Sequence, residues 1–257
     1  MRQVLGKCLA LCFVPAVLVA YAPRIAEASF QLKIDDLKTS GVDVTLTDIF
    51  TSSLVGPGTD QNPAPGVLVF SGGVGNFSVV LTMATSKPIG QSPDLVQLQM
   101  SAIVFAANPN LQGGPDILHF ELTDTDFQLA TQNPTAATTA SLTSSVTALS
   151  PNPVVFDSYV NLTNVGFGQG PIAIHQVLTP PPAQFGELSS YLDFQFPDAS
   201  PFSISQVVEV KHTASNQTTS FSIVSLVHAP EPASLVAWCL LGGLGTVLGY
   251  RRRKVAS

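Results

Sequence analysis

The chain has 257 residues and a formal net charge of −6, and only 11% of its residues are charged. Between Ser29 and Ala229 four lysines and no arginine stand against fifteen aspartates and glutamates, which gives this central part a charge near −11. A surface so poor in cations cannot neutralise a phosphate backbone, which excludes nucleic acid as a partner. The three cysteines, Cys8, Cys12 and Cys239, lie outside the central part, which excludes disulfides and thiol catalysis within it.

Residues 1–28 have the features of a secretory signal peptide. Arg2 and Lys7 give a positive start, Cys8–Tyr21 an apolar stretch, and Ala26-Glu27-Ala28 a small-residue cleavage motif. We expect cleavage after Ala28, with Ala26 at the other small position. An uncleaved anchor is the alternative, but the apolar stretch is short for a membrane span of about 20 residues.

Residues 228–257 have three features in a fixed order. Pro230-Glu231-Pro232 is followed by eighteen uncharged, mostly apolar residues, Ala233–Tyr250, and then by Arg251-Arg252-Arg253-Lys254. As a helix, the apolar stretch would be about 27 Å long, close to the hydrocarbon thickness of a bilayer. We therefore predict a transmembrane helix over 233–250. Because clustered cations stay on the cytoplasmic side, the central part is expected to lie outside.

This combination, over about the last 28 residues, resembles the PEP-CTERM sorting signal. The resemblance implies that an exosortase, an integral-membrane cysteine peptidase, recognises the tail and cleaves near the Pro-Glu-Pro motif during export. It also implies an inner-membrane-anchored precursor that later reaches the cell surface or the extracellular matrix. An ordinary C-terminal anchor is the alternative.

The central part, residues 29–227, is predicted to be an antiparallel β-sandwich of jelly-roll type. It is rich in Val, Thr, Ser and Phe and breaks into short runs between Gly and Pro turns, without sustained helical periodicity. The predicted strands, roughly eleven in number, are Phe30–Ile34, Val42–Ile49, Val67–Phe70, Asn76–Met83, Leu95–Phe105, Ile117–Leu129, Leu142–Leu149, Val154–Leu162, Leu188–Phe196, Ser203–His212 and Thr218–Val227.

Alternation within the strands predicts which side chains face the core. Phe77, Val79, Leu81 and Met83 are expected to share one face, and the odd and even residues of 117–122 are expected to face opposite ways. A longer loop is predicted at Gly166–Gly170, and Pro180-Pro181-Pro182 predicts a stiff extended crossing between the sheets.

Two acidic pairs are candidate metal ligands. Asp124 and Asp126 offer oxygen ligands to Ca²⁺, but no Asp-x-Asp-x-Asp-Gly loop is present and a full site needs six or more oxygens. They are better explained as the solvated polar face of an edge strand. Asp35 and Asp36 are a weaker candidate, since adjacent strand residues point to opposite faces.

No catalytic residues emerge from the sequence. His119, His175, His212 and His228 are scattered without zinc spacing, so they are predicted to be surface or half-buried residues. Glycosidase chemistry would need two facing carboxylates, which sequence cannot establish. Sugar-binding faces usually use exposed aromatics, whereas Phe in strands is mostly core and the central part has only Tyr159 and Tyr191 besides.

The sequence therefore predicts a non-enzymatic exported protein without a cofactor, presented at the cell surface or in the extracellular matrix and associated with exopolysaccharide. Two alternatives remain open. One is a secreted carbohydrate-active enzyme on a jelly-roll scaffold, which a pair of carboxylates on one sheet face would favour. The other is a calcium-dependent adhesive module, which would gain thermal stability from calcium.

Overall fold

A computed structural model describes residues 30–48, 60–62, 64–86, 95–106, 115–129, 138–179, 186–197 and 200–229. Within these residues the chain forms twelve β-strands. In chain order they are β1 (Gln31–Asp36), β2 (Val44–Thr47), β3 (Val67–Val74), β4 (Phe77–Ser86), β5 (Leu95–Ala106), β6 (Asp116–Phe127), β7 (Thr138–Leu149), β8 (Val154–Asn161), β9 (Ile172–Leu178), β10 (Gly186–Phe196), β11 (Phe202–His212) and β12 (Thr218–His228).

The strands form two six-stranded sheets. The first sheet has the order β2-β1-β6-β11-β8-β9, and the second has the order β10-β7-β12-β5-β4-β3. Every pair of neighbouring strands is antiparallel. This arrangement confirms the predicted all-β, two-sheet sandwich.

The last eight strands have jelly-roll topology. They pair as nested hairpins, β8 with β9, β7 with β10, β6 with β11 and β5 with β12. Folding such a nested hairpin over itself gives two four-stranded sheets of order β6-β11-β8-β9 and β10-β7-β12-β5, as observed. Strands β1 and β2 then widen the first sheet, and β4 and β3 widen the second.

The core lies between the sheets because alternate residues of each strand are apolar. In β8, for example, every second residue is buried, and β12 follows the same period. Phe120 of the first sheet and Phe221 of the second meet edge to face, with ring centroids 5.4 Å apart. Burying a side chain of this size stabilises the fold by roughly 2–3 kcal/mol.

A network of buried, hydrogen-bonded polar side chains crosses the same core. The buried Gln206 amide donates to the backbone carbonyl of Leu98 at 2.9 Å and to the Ser225 hydroxyl at 2.8 Å. Ser225 in turn lies 2.7 Å from the Ser158 hydroxyl. These bonds connect β11 and β8 of the first sheet to β5 and β12 of the second, so they tie the two sheets together.

Three sequence expectations are corrected by the structure. Strand β9 was not predicted, because Gln176 takes a buried position while Val177 is 48% exposed, so its hydropathy does not alternate. Phe77, Val79 and Leu81 are buried on one face as predicted, but the alternation is then interrupted by a register shift between Leu81 and Met83, after which Ala84 is buried. The third correction concerns His212, which is fully buried instead of lying at the surface or being half-buried.

The predicted signal peptide, sorting motif, transmembrane segment and Pro180-Pro181-Pro182 crossing lie outside the described residues. Among the residues that are described, no helix is long and apolar enough to cross a membrane. The predicted loop at Gly166–Gly170 is found, within an irregular segment that joins β8 to β9.

Candidate functional site

The outer face of the first sheet brings together most of the described charged strand residues. Strand register aligns Lys33 of β1, Glu121 of β6, Val207 of β11, Asp157 of β8 and His175 of β9 in one row across the sheet. Their side chains point away from the core because their strand neighbours are buried. The face is therefore an open polar surface that crosses five strands.

A second row, one step along the strands, is less charged. It aligns Gln31, Thr123, Ser205, Tyr159 and Ala173. The irregular segment after β8 lies beside this row, because the Ser203 hydroxyl donates to the carbonyl of a loop residue at 2.8 Å. The loop after β8 therefore borders this second row on one side.

Local turns fold this loop back on the sheet. The Asn161 side chain accepts hydrogen bonds from the amide and hydroxyl of Thr163, at 2.8 and 2.6 Å. Asn164 exchanges two hydrogen bonds with Asp126, at 2.8 and 2.7 Å. A Cβ at Gly170 would overlap the carbonyl oxygen of Val160, so the return of the chain requires glycine there.

This loop places Phe167 over the sheet. Its backbone has φ 54° and its amide donates to the Thr123 hydroxyl at 3.2 Å. The Lys33 ammonium lies 3.7 Å from the centre of the Phe167 ring and 3.7 Å from the Glu121 carboxylate. Lys33 thus holds an aromatic ring and a carboxylate side by side on an accessible surface.

Tyr159 lies in the same shallow cleft, which has a cavity volume of only about 10 Å³. A ligand of this face would therefore lie on the surface rather than in an enclosed pocket. Burial raises the pKa of the Tyr159 hydroxyl above its ordinary value, and the neighbouring Asp157 carboxylate raises it further. The residues that line the cleft are Glu121, Tyr159, Phe167, Gly168, Gln169, Ser205, Gln206 and Val207.

The edge of the face carries a histidine and carboxylate pair. His175 Nδ1 lies 2.6 Å from an oxygen of Asp157, and the His175 side chain is 64% exposed. A third row, on the opposite side of the Lys33 row from the Gln31 row, aligns Asp35, His119 and Glu209. Burial raises the pKa of Asp35, and the neighbouring Asp43 adds to this rise.

The calcium candidates have other structural roles. Strand β6 lies between β1 and β11, so the interpretation of Asp124 and Asp126 as an edge-strand polar face is wrong. Asp124 is buried and accepts a hydrogen bond from Ser86, whereas Asp126, with φ 61°, binds Asn164. Within the described residues, no group of three or more His, Cys, Asp or Glu side chains comes together as a metal site.

The Asp35 and Asp36 side chains lie on opposite faces of β1, as predicted, with Asp36 fully buried. The histidines divide in a way that the sequence does not indicate. His228 and His175 are exposed and His119 is half-buried, but His212 is inside.

Phe167 is the functional candidate that sequence reasoning missed. The sequence predicts a loop at Gly166–Gly170, but Phe is expected mostly in the core, so the sequence alone gives Phe167 no role. The available signal was its position: a bulky apolar residue between glycines, outside any alternating strand, has no strand neighbours to bury it.

Searches for relatives add little. No protein-family model and no curated protein matches the chain. Solved structures that match include a carbohydrate-binding module, TmCBM61, in complex with β-1,4-galactotriose, at 8% identity and a TM-score of 0.26, over 59% of this chain and 88% of that one. The K1 cleaved adhesin domain of Lys-gingipain from Porphyromonas gingivalis W83 matches at 13% identity and a TM-score of 0.25, over 62% and 96%.

A third match is the enzymatically active domain of tailspike protein 4 from bacteriophage CBA120, at 10% identity and a TM-score of 0.27. It covers 61% of this chain but only 20% of the tailspike chain. These TM-scores are too low to indicate a shared fold. The jelly-roll assignment therefore rests on the strand pairing, and the function must be inferred from the site.

Proposed function

We propose that this protein is a non-enzymatic module of the bacterial cell surface or extracellular matrix, and that it binds polysaccharide on the outer face of the first sheet. The observation that carries the proposal is the grouping of Phe167 and Tyr159 with Glu121 in one open, shallow cleft. Aromatic rings offer flat apolar area to the C–H faces of sugars, and the adjacent polar groups bind their hydroxyls.

The charge of the face indicates which polysaccharide it binds. Lys33 is engaged with Glu121 and with the Phe167 ring, so it is not a free site for an anionic sugar. Glu121 and Gln169 provide hydrogen-bonding groups beside the rings. The ligand that fits is a neutral exopolysaccharide, and its binding should change little with salt, because no net charge is neutralised.

Removing either aromatic residue should weaken binding by about tenfold, equivalent to about 1.4 kcal/mol, since each ring supplies stacking area. The measurement is affinity electrophoresis of the exported protein in gels that contain the exopolysaccharide of its native host. The variants are Tyr159→Ala and Phe167→Ala. Phe105→Ala is the matched control, because Phe105 is 40% exposed on β5 of the other sheet.

Loss of retardation in both cleft variants, with none in the control, supports the proposal. Equal retardation of the cleft variants and the wild-type protein would contradict it.

The alternative of a carbohydrate-active enzyme has one observation in its favour. Glu121 and Asp157 point outward in the same row, with Val207 of the intervening strand between them. Two strand spacings put their backbones about 10 Å apart, and inverting glycosidases hold their carboxyl groups about 6.5–9.5 Å apart. Release of new reducing ends by the wild-type protein, abolished in both Glu121→Gln and Asp157→Asn, would establish the enzyme instead.

We further propose that the signal peptide delivers the β-sandwich for export, and that an exosortase-type peptidase processes the chain at Pro230-Glu231-Pro232. The positions where the first described strand begins and the last one ends support this proposal. β1 begins at Gln31, which pairs with Thr123 of β6. The next residue, Asp124, accepts a hydrogen bond from Ser86 at the end of β4 in the second sheet. Through β5, this end of β4 lies on the same side of the second sheet as the end of β12. Both flanking segments therefore leave the sandwich at one end.

Replacing Pro230, Glu231 and Pro232 together by alanine should block processing, so that the product retains the C-terminal residues. The intact mass of the protein from the host surface and medium measures this directly. The control is Pro151→Ala with Pro153→Ala, which changes another Pro-x-Pro sequence, in an exposed turn of the body. Retention of the tail in the wild-type protein would contradict the sorting proposal and leave the binding proposal standing.

A further inference from the structure

Strand β10 forms an unusual edge of the second sheet. Among the described residues it pairs only with β7, over eleven consecutive positions without a bulge. Its sequence, Gly-Glu-Leu-Ser-Ser-Tyr-Leu-Asp-Phe-Gln-Phe, contains no proline and no lysine. Natural edge strands are usually short, bulged, or blocked by Pro or by charged side chains, especially Lys, because an open edge pairs with other strands. The charged residues of β10 are two carboxylates, Glu187 and Asp193.

The other edges of the sandwich are protected in these ways. β2 has only 4 residues, and β9 has 7 and directly follows Pro171. β3 carries a register shift between Leu68 and Phe70 and contains two glycines. The contrast singles out β10 as a pairing surface.

The side chains of β10 are also incompletely covered. Tyr191 on the outer face is 75% exposed, and Leu192 on the inner face is 37% exposed. Leu188 and Phe194, on the same inner face, are only partly buried at the margin of the core. Among the described residues, no strand pairs with the edge of β10 that faces away from β7, although β9 of the first sheet lies close to β10. An edge without a described pairing partner therefore runs beside a partly exposed apolar strip, which is the combination found in strand-mediated interfaces.

We propose that β10 pairs antiparallel with β10 of a second copy of this chain, centred on Tyr191. In that register the two tyrosines face each other, Leu188 meets Phe194, and Glu187 meets the side-chain amide of Gln195. Each pair is complementary, and the backbone groups of both edges are satisfied. Moving the centre to Ser190 would instead place Glu187 against Asp193, which opposes two carboxylates. Of these two registers, the charges of the strand favour the one centred on Tyr191.

The second copy makes a continuous twelve-stranded sheet from two six-stranded ones. It leaves the outer face of the first sheet free in both copies. A two-fold dimer therefore presents two polysaccharide faces, and the dimer stands or fails independently of what those faces bind.

The first test is the solution mass of the exported protein by analytical ultracentrifugation over a wide range of concentration. We expect a dimer whose dissociation constant rises about tenfold or more in Tyr191→Lys and in Tyr191→Glu, since each places like charges at the two-fold axis. Mixing the two variants should restore association. Val42→Lys is the control, because Val42 is 51% exposed and lies in the loop between β1 and β2.

The second test fixes the register. The body contains no cysteine, so Cys8, Cys12 and Cys239 are replaced by serine before new cysteines are introduced. Tyr191→Cys should form a disulfide-linked dimer under mild oxidation, because directly opposed strand residues lie within disulfide reach. Ser189→Cys should crosslink with Asp193→Cys but not with itself. A monomer at all concentrations, or a dimer that Tyr191→Lys leaves intact, would overturn the proposal.

Discussion

Replacing Asp36 by alanine should destabilise the protein by about 3 kcal/mol. The Asp36 carboxylate is fully buried and accepts the backbone amides of Lys38 at 3.1 Å and Asn76 at 3.0 Å. The bond to Asn76 joins β1 of the first sheet to the turn between β3 and β4 of the second. Without the carboxylate both amides lose a charged acceptor, and leaving one such group unsatisfied costs about 1–3 kcal/mol.

The neighbouring residue provides a matched control. Asp35 has the same side chain but faces outward, and one of its oxygens is buried without a hydrogen-bond partner. Asp35→Ala should therefore change the free energy of unfolding by less than about 1 kcal/mol. Urea unfolding of the two variants measures the difference. Equal destabilisation by both substitutions would show that Asp36 does not act as a link between the sheets.

This pair shows what a local pattern predicts well. Alternation along a strand depends only on neighbours in the chain, so it correctly placed Asp35 and Asp36 on opposite faces. It also put Leu118, Phe120 and Leu122 on the face opposite to Ile117, His119 and Glu121, and the structure buries the first set. The two-sheet class follows from many such strands, because each has one apolar face that must be covered.

The sequence expectations that were wrong are those that depend on which strands become neighbours in a sheet. Asp124 is expected at an edge from the sequence, but its strand is placed between β1 and β11 by pairings 75 or more residues apart in the chain. The nested hairpin order is likewise set by long-range pairing and not by any single segment. Phe167 faces Lys33 only because β1 pairs with β6, which lies under the loop. A local pattern can therefore single out Phe167 as a ring outside the strands, but it cannot show that Phe167 lies beside Lys33 and Glu121.

The buried His212 leads to a prediction about acid stability. Burial lowers the pKa of His212 to about 4, although the nearby Asp116 carboxylate opposes this shift. Asp116 lies directly opposite His212 on β6 and forms an ion pair with Lys38. His212 Nε2 lies 2.9 Å from the Thr219 hydroxyl, and its ring packs 5.6 Å from the Phe77 ring. The folded protein therefore holds a neutral imidazole in its core.

The sign of the pH effect follows from proton binding. An unfolded histidine has a pKa near 6.5, so between about pH 6.5 and 4 the unfolded chain binds a proton that the folded chain does not. Stability should consequently fall as the pH is lowered through this window, by up to about 1.4 kcal/mol per pH unit from this one group. Below about pH 4 both states are protonated and this contribution stops changing.

Comparing variants isolates this contribution from that of the carboxylates. His212→Gln should flatten the dependence of unfolding free energy on pH between about 4 and 6.5, whatever its effect on stability at neutral pH. His228→Gln is the control substitution, because it replaces an exposed histidine instead of a buried one. Urea unfolding at several pH values gives both slopes. If His212→Gln keeps the wild-type slope, the imidazole must already accept its proton in the folded protein, with Asp116 as the group positioned to stabilise that charge.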